Sequence, residues 1–377
     1  MEYGIVVFKE TINIGDDIQS YAAMKQLPKV DYFIEREELN EFQPKNKNTV
    51  KTLISGWFLH HRYRFPPSPY INPFFISCHF SSLNDMMGIT TEYVDDYVKE
   101  YMKRYEPIGC RDEVTEKLFK NNDIKTYRSG CLTLTIPKFK GVKKQQKIVL
   151  VDTAPELKKA VEKQYEGSII EKTHFVDKEK NSKLSYEKRM KNVEALLKEY
   201  QSAELVITTR LHCALPCLAL ETPVLLIYDK DNYDIVSRIG DYCKLVDYCS
   251  EQEFLEKGLS EYFIKTPRKD HLKIKNELMK RVEEFLKDTK EEKVDIKEEM
   301  VKTLHHVNQL VEIHDQALIE ELPKLKIDFT NMKYAKEYWE QEFYTLLEKY
   351  EKLQGKRKKS PKDILSKGIS IIKKKEK

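Results

Sequence analysis

The sequence predicts an α/β protein of two Rossmann-like domains, in which parallel sheets covered by helices face a cleft. Three observations predict this class. Stretches typical of buried strands alternate with amphipathic helical stretches in two successive blocks. A charged segment with Pro and Gly, residues 137–146, separates the blocks and is typical of a linker. The chain of 377 residues is also too long for one ordinary hydrophobic core.

The first block, residues 1–140, is the predicted N-terminal domain. It begins with YGIVVF, an apolar run that predicts a buried strand at residues 3–8. Further strands are expected at residues 52–55, 74–78 and 106–110. Helices are expected at about residues 16–27, 91–105 and 112–120, the last with Asp112 as its N-cap.

The second block, residues 147–268, is the predicted C-terminal domain. Strands are expected at residues 148–152, 168–174, 205–208 and 224–228. Helices are expected at residues 155–164, 185–200 and 214–220. Repeated β-α-β units predict parallel sheets, whose ligands bind at the carboxyl ends of the strands.

A helical extension is predicted for residues 269–355, where Lys/Glu-rich stretches occur at 270–288, 295–322 and 329–354. Apolar residues recur there every three or four positions, which predicts a docking arm, self-association into a homo-oligomer, or solvated helices that pack on the core.

The tail, residues 356–377, carries an apolar stripe flanked by lysines. It predicts either a helix on an anionic membrane surface or a disordered cationic segment. Residues 351–377 hold 11 Lys or Arg against 3 acidic residues, so the rest of the chain is net negative. That balance argues against nucleic acid as a partner.

No run of about 18 uncharged apolar residues is present, which argues against a membrane-spanning helix. The opening MEYGIVVFKET predicts a first strand instead of a secretory signal, so we expect a cytoplasmic protein, with peripheral membrane contact if the tail binds lipid. The seven scattered cysteines are typical of reduced core thiols. Cys213 and Cys217 beside His212 lack a second ligand pair, so we predict helix packing and no metal.

Three junctions between a strand and a helix concentrate polar groups. In the first, Asn13 and Gly15 suit a turn with positive φ before a helix that Asp16 opens. Its N-terminus would face an anion, although an ordinary turn and N-cap explain the pattern equally well.

At the second junction, Arg111 follows a strand end and would bind phosphate or carboxylate in the cleft. The alternative is an ion pair with Asp112 or Glu113.

The third junction places Thr209, Arg210 and His212 between the strand at 205–208 and a helix expected to begin near Cys213. Burying Arg210 there without an anionic partner would be costly, and the positive helix end favours the neutral form of His212. A bound phosphate and carboxylate would compensate both side chains.

The segment AELVITTRLHCALPCLALETPVLLI, residues 203–227, resembles the signature of the polysaccharide pyruvyl transferase family. NIGDDIQSYAAMKQL (residues 13–27) and PIGCRDEVTEKLFKNNDIKTYRSGCLTLT (residues 107–135) resemble two further family elements, in the family's order. Two positions depart from the pattern, ISGWFLHH at residues 54–61 and Glu221.

The resemblance implies a GT-B-like fold and transfer of pyruvate from phosphoenolpyruvate to two hydroxyls of one sugar, in a bacterial cell-surface polysaccharide or its lipid-linked precursor. Arg210, His212 and Arg111 would then hold the donor's phosphate and carboxylate, and Asn13 and Asp16 would line the facing wall.

His212 would act as general acid or base, the arginines would stabilise the leaving phosphate, and Asp16 would activate a hydroxyl. No cofactor or metal would be needed beyond phosphoenolpyruvate as donor substrate. Gly15 and Thr209 are further candidates for substrate binding. His174, at the end of a strand, would either face the cleft or pack in the core.

Two other functions fit the same pattern. A GT-B glycosyltransferase with a nucleotide-sugar donor fits the architecture, and residues 229–234 (DKDNYD) would supply its contacts. A non-catalytic scaffold that assembles through the C-terminal helices is the third interpretation.

Overall fold

The computed structural model describes residues 1–58, 65–80, 94–228, 240–288 and 295–306, with single positions between 308 and 348. Its first sheet contains β1 (Glu2–Val7), β2 (Tyr32–Glu35), β3 (Val50–Phe58), β4 (Ile71–Phe80), β5 (Ile108–Cys110) and β6 (Thr126–Arg128). The strands lie in the order β2-β1-β3-β4-β5-β6 and every described pairing is parallel.

The second sheet contains β7 (Lys147–Val151), β8 (Ser168–Lys172), β9 (Leu205–Thr208), β10 (Val224–Ile227) and β11 (Asp247–Cys249). Its order is β11-β10-β9-β7-β8, again parallel. The central strands β7, β9 and β10 are buried throughout, because helices cover both faces.

The helices are α1 (Ile14–Gln26), α2 (Asp96–Arg104), α3 (Glu113–Lys120), α4 (Pro155–Glu162), α5 (Lys178–Ser182), α6 (Tyr186–Ser202), α7 (Leu211–Ala219), α8 (Glu251–Lys257), α9 (Leu259–Tyr262) and α10 (Leu272–Lys287). Several begin at a side chain that accepts a backbone N–H, among them Asp112 before α3 and Ser185 before α6. These caps end the preceding loops at defined residues.

The predicted α/β class with two parallel sheets is confirmed. The strands and helices expected up to residue 228 are present, with ends that differ by a few residues. Three short strands, β2, β6 and β11, were not expected. The helix expected to begin near Cys213 begins at Leu211.

The two domains share one hydrophobic core. It includes residues of β1 and α1 from the first domain and of β7, α6 and α7 from the second, such as Ile18, Tyr21, Val149, Val193 and Leu215. Separate clusters cover the far face of each sheet. The inner helices of the two domains therefore pack against each other instead of against solvent.

The carboxyl ends of the two sheets meet beside β1 and β8. The N–H of Ile14 donates to the carbonyl of His174 at 2.8 Å, and the N–H of Val176 donates to the carbonyl of Ile12 at 2.9 Å. These bonds form a short antiparallel main-chain bridge between the loops that follow the two strands. Adjacent to it, the buried carboxylate of Asp17 on α1 pairs with the guanidinium of Arg189 on α6 at 2.5 Å.

The first helix of the predicted extension, α10, packs against the N-terminal domain. Leu278 and Val282 belong to the shared core, and the ring of Phe285 stacks on Phe74 with centroids 4.9 Å apart. Lys51 donates to the carbonyl of Phe285 at 2.5 Å. Residues 296–306 are also helical.

A separate compact unit comprises residues 308–377, and the single positions described in it are helical. Most of the stretches expected at 295–322 and 329–354, and all of the tail at 356–377, lie outside the described residues. Within the described part of the chain, no helix is long and apolar enough to cross a membrane.

Candidate active site

The first predicted junction begins α1 beside the main-chain bridge. Asn13 caps the helix, since its Oδ1 accepts the N–H of Gly15 at 2.9 Å. The expected turn with positive φ is wrong: Asn13 has φ −132°, and the helix starts at Ile14, before Asp16. The structure therefore shows an N-cap at this junction, and an anion at the helix end stays a prediction.

A side chain at Gly15 would be crowded, because an added Cβ would lie 3.0 Å from Oδ1 of Asn13 and close to His212. A Cβ added there would lie 3.2 Å from both Cβ and Nδ1 of His212, tighter than an ordinary van der Waals contact. The first turn of α1, from the N-terminal domain, therefore lies so near the ring of His212, from the C-terminal domain, that no side chain fits between them without a shift. The first and third junctions therefore lie next to each other.

Asp16 lies half-buried in the first turn of α1. The hydroxyl of Thr11 donates to its Oδ2 at 2.6 Å, and the amide of Gln19 donates to its Oδ1 at 3.3 Å. Both carboxylate oxygens thus accept hydrogen bonds within the N-terminal domain, and these bonds fix the orientation of the carboxylate.

Arg111, at the second junction, lies below the surface instead of projecting openly into the cleft. Only 4% of the residue is exposed, and its Nη1 donates to Oε1 of Gln19 at 2.8 Å. Gln19 therefore connects Arg111 to Asp16. The Nε of Arg111 has no hydrogen-bond partner among the described residues, and Oδ2 of Asp112 is 3.9 Å away. A buried guanidinium donor without a partner is a feature that an anion would satisfy.

Asp112 serves other groups, which explains its weak pairing with Arg111. Its Oδ1 accepts the N–H of Thr115 and caps α3, and its Oδ2 lies 2.5 Å from Nδ1 of His79. Burial raises the pKa of Asp112, but the contacts with His79 and Arg111 outweigh burial and lower it. The predicted ion pair between Arg111 and Asp112 is therefore present as a long contact only.

At the third junction Arg210 is the N-cap residue of α7, and His212 lies in the first turn, half-buried. The side chain of Arg210 is 31% exposed, and its Nε donates to Oδ2 of Asp152 at 2.7 Å. Its guanidinium also lies over the ring of Phe175, 4.4 Å from the centroid. The expectation that Arg210 needs a bound anion for compensation is wrong, because Asp152 is its counter-ion. The terminal amino groups are the donors it can offer to a ligand.

Asp152 is a site residue that the sequence analysis missed. It follows β7 with φ +52°, an uncommon backbone conformation for a residue other than glycine. Besides Arg210, its carboxylate accepts the hydroxyl of Thr173 at 2.6 Å and the N–H of His174 at 3.1 Å. Burial raises the pKa of Asp152, whereas the bonds from Thr173 and Arg210 lower it, and the lowering prevails. Its position at the carboxyl end of a parallel strand was the available signal.

Thr209 and His174, both predicted to bind substrate, bind protein groups. The hydroxyl of Thr209 donates to the carbonyl of Asp152 at 3.0 Å and so braces the loop. His174 is 1% exposed, and its Nε2 lies 2.9 Å from the hydroxyl of Tyr200. Of the two alternatives for His174, the structure therefore shows packing in the core. The main-chain carbonyl of His174 accepts the N–H of Ile14 and so connects the two domains.

Cys213 and Cys217 are both buried in α7, as the packing interpretation predicted. Burial raises the pKa of Cys213, but hydrogen bonds from Cys217, His174 and Thr208 lower it to about 6. In the described ranges there is no group of three or more His, Cys, Asp or Glu side chains placed to hold a metal ion.

Among solved structures, the chain is similar to the UDP-GlcNAc 2-epimerase of Methanocaldococcus jannaschii, with 11% identity over 75% of this chain and 100% of that chain and a TM-score of 0.36. It is also similar to a variant of the wall teichoic acid polymerase TagF, with 10% identity over 82% of this chain and 90% of that chain and a TM-score of 0.33. Both similarities are too remote to bear on activity. A comparison with curated proteins found no match.

The family model described as polysaccharide pyruvyl transferase matches residues 13–231, which is more than half of the chain. The match begins at the N-cap of α1 and extends beyond β10, so it includes all three junctions. This chain therefore belongs to the polysaccharide pyruvyl transferase family.

Proposed function

We propose that this protein transfers pyruvate from phosphoenolpyruvate to a sugar of a bacterial cell-surface polysaccharide or of its lipid-linked precursor. The observation that supports the proposal is the closeness of the N-terminus of α1 to His212, since a Cβ added to Gly15 would lie 3.2 Å from the imidazole Nδ1. A titratable imidazole, the positive ends of α1 and α7, and the guanidinium of Arg210 are thereby gathered at one place. Such a site favours a small, multiply charged anion.

The donor would be held by complementary charges. The terminal amino groups of Arg210 and the unpartnered Nε of Arg111 are suited to the phosphate and the carboxylate. Asp152 fixes the guanidinium of Arg210 before the donor arrives, so little reorganisation is needed at the moment of binding. Asn13 and Asp16 would line the opposite wall, and Gly15 would allow the donor to approach the first turn of α1.

The reaction would proceed by proton transfer to the methylene carbon of phosphoenolpyruvate, which makes C2 cationic. A sugar hydroxyl attacks C2 and releases its proton, and the C2–O bond to phosphate then breaks. A second hydroxyl attacks C2, releases its proton and closes the ketal. Of the two released protons, one balances the proton placed on the new methyl group and the other leaves with phosphate or solvent.

His212 is the candidate for the proton transfers, a role typically worth about 10²–10⁴-fold in rate. Asp16 is the second candidate, as the base that accepts a hydroxyl proton. Arg210 and Arg111 would stabilise the charge on the departing phosphate.

The test is phosphate release that requires both phosphoenolpyruvate and an acceptor glycan. His212→Ala and Arg210→Ala should abolish it and leave the thermal unfolding midpoint little changed. The matched controls are His305→Ala, at an exposed helical position, and Arg268→Ala, in a surface pair with Asp270. Retained transfer in either site variant, or equal loss in the controls, would contradict the proposal.

A nucleotide-sugar glycosyltransferase remains the alternative, and the residues expected to contact the nucleotide, 229–234, lie outside the described part of the chain. A thermal-shift comparison separates the two. Stabilisation by phosphoenolpyruvate but not by uridine or guanosine diphosphate sugars supports the pyruvyl transferase, and the reverse result supports the alternative.

We also propose a cytoplasmic protein, peripheral on the inner face of the membrane through residues 356–377, where a lipid-linked acceptor would lie. We further propose that the protein forms homo-oligomers through the C-terminal helices and that it has no nucleic-acid partner. Liposome sedimentation of the full chain and of a variant lacking residues 356–377 tests the membrane contact. Identical binding of the two would refute it.

A further inference from the structure

A buried histidine lies at the carboxyl end of β4, beside the second junction. His79 is 4% exposed, and its Nδ1 lies 2.5 Å from Oδ2 of Asp112. The ring of Trp57, at the end of β3, packs edge-on against the imidazole, with centroids 5.5 Å apart. A carboxylate and an aromatic ring therefore hold His79 in one orientation, at the edge of the sheet where ligands bind.

Three hydrogen bonds fix the carboxylate of Asp112. Because the pKa of Asp112 lies below its ordinary value, the carboxylate is ionised at neutral pH and accepts the N–H at Nδ1 of His79. Its Oδ1 accepts the N–H and the hydroxyl of Thr115, at 3.0 and 2.9 Å. Within the part of the chain that the structure describes, His79 is the only hydrogen-bond donor to Oδ2. His79 therefore determines where Oδ2 points.

The position of Oδ2 decides which donor Arg111 can offer to a ligand. Oδ2 of Asp112 lies 3.9 Å from Nε of Arg111, about 1 Å beyond the length of a hydrogen bond. Nη1 donates to Gln19, whereas Nε has no hydrogen-bond partner among the described residues. Opposite charges attract strongly in a buried site, so a carboxylate released from His79 would turn toward Nε and pair with it. Asp112 would then occupy the donor that an anion could otherwise use.

We infer that His79 is a positioning residue that holds Asp112 away from Arg111 and so keeps Nε of Arg111 available for the donor's phosphate or carboxylate. This inference rests on the proposed function. His79 acts through Asp112 and does not need to touch the substrate. The two arginines are thereby prepared in opposite ways, since Asp152 restrains Arg210 by pairing with it, whereas Asp112 is restrained from pairing with Arg111.

The test is the affinity of the full chain for phosphoenolpyruvate, measured by isothermal titration calorimetry. His79→Leu removes the donor to Oδ2, so the Kd for phosphoenolpyruvate should rise about 10–100-fold, the equivalent of one hydrogen bond to a charged group. Adding Asp112→Asn removes the charge that captures Arg111 and keeps an oxygen that caps α3. The double variant should therefore bind phosphoenolpyruvate within about threefold of the wild type.

Two single variants serve as controls. His79→Asn keeps an N–H near the position of Nδ1 and should leave the Kd near the wild-type value. His271→Leu replaces another buried histidine, 1% exposed and at the N-cap of α10, and should also leave the Kd unchanged. If His79→Leu does not fold, as judged by its thermal unfolding, His79→Gln replaces it, because its amide nitrogen reaches the position of Nε2 instead of Nδ1.

The outcomes separate a positioning role from a structural one. A double variant as weak as His79→Leu would overturn the inference, because the loss would then come from the fold or from a direct contact of His79 with the donor. Equal affinities of the wild type and of His79→Leu, or of its replacement His79→Gln, would also overturn the inference and leave the proposed function standing. A wild-type protein that does not bind phosphoenolpyruvate would refute the proposed function, and the inference with it.

Discussion

Replacing Asp152 tests whether Arg210 is positioned by the protein before any ligand binds. The carboxylate receives three hydrogen bonds, from Arg210 Nε at 2.7 Å, Thr173 Oγ1 at 2.6 Å and the His174 N–H at 3.1 Å. Asp152→Ala removes both acceptor oxygens and so all three hydrogen bonds. Asp152→Asn keeps an oxygen of similar shape and tolerates the φ of +52° at this position, but it removes the charge.

The magnitudes follow from the exposure of each group. A hydrogen bond to a charged group contributes about 1.5–3 kcal/mol when buried. The side chain of Arg210 is 31% exposed, so screening by solvent reduces its share to about 1 kcal/mol. The bonds from Thr173 and His174 add about 1 kcal/mol together, after a similar reduction. Asp152→Ala should therefore lower the free energy of unfolding by about 2 kcal/mol, and Asp152→Asn by about half of that.

Activity should fall more than stability does. A guanidinium released from Asp152 no longer points at the donor, and a misplacement of about 1 Å costs on the order of 10²-fold in rate. We expect that loss in kcat/KM for phosphoenolpyruvate with Asp152→Ala, measured by phosphate release. The unfolding free energy is measured by urea titration of the same proteins. Unchanged kcat/KM in Asp152→Ala would refute the idea that this carboxylate positions Arg210.

The same carboxylate predicts a pH dependence with a defined sign. Because the folded pKa of Asp152 is lowered, its contribution to stability is present above the unfolded pKa of about 4 and is lost as pH falls through the folded value. Asp152→Asn should therefore lose less stability than the wild type between about pH 5 and 3. If the free energy of unfolding falls equally for the two proteins as the pH is lowered, the pairing of Asp152 with Arg210 is not formed.

Two further changes test the contact between the domains. Gly15→Ala would place a Cβ 3.0 Å from Oδ1 of Asn13 and 3.2 Å from His212. We expect kcat in the phosphate-release assay to fall about 10-fold, while the thermal midpoint, recorded by calorimetry, stays within a few degrees. An unchanged kcat would contradict the idea that this close approach positions His212. Asp17→Ala would leave Arg189 buried without its partner and should lower the unfolding free energy by about 3–5 kcal/mol in urea titrations. Glu283→Ala, which breaks an exposed pair with Lys287, should cost under about 1 kcal/mol, and equal losses in the two variants would contradict the role of the buried pair.

The parts of the fold that the sequence predicts are those with strong local periodicity. Buried parallel strands such as β7 and β9 are continuous apolar runs, so their positions follow from the residues themselves. β6 and β11 have three residues each and β2 has four, too short to show a period. They become strands because they pair with β5, β10 and β1, and that information is not local.

The same limit applies to the site. The three junctions were predictable because ligands bind where parallel strands end. The side-chain pairs that form at these junctions could not be predicted, because the two partners of each pair are distant in the chain. Asp152 and Arg210 are 58 positions apart, and Asp17 and Arg189 are 172 apart. Gly15 was assigned to a turn, since only the folded chain shows that His212 lies against it.

The connection between the domains belongs to the site and not only to the scaffold. His212 and the first turn of α1 come from different domains, and productive geometry must be held to within about 0.5 Å. The main-chain bridge at Ile14 and His174 lies at the start of the first turn of α1, next to His212. Asp17, in the same turn, forms the buried pair with Arg189. A relative rotation of the domains would have to pivot about this bridge, because breaking it would leave main-chain donors and a buried charge unsatisfied. The shared hydrophobic core between α1 of the first domain and α6 and α7 of the second resists the same rotation, so both kinds of contact keep the first turn of α1 close to His212.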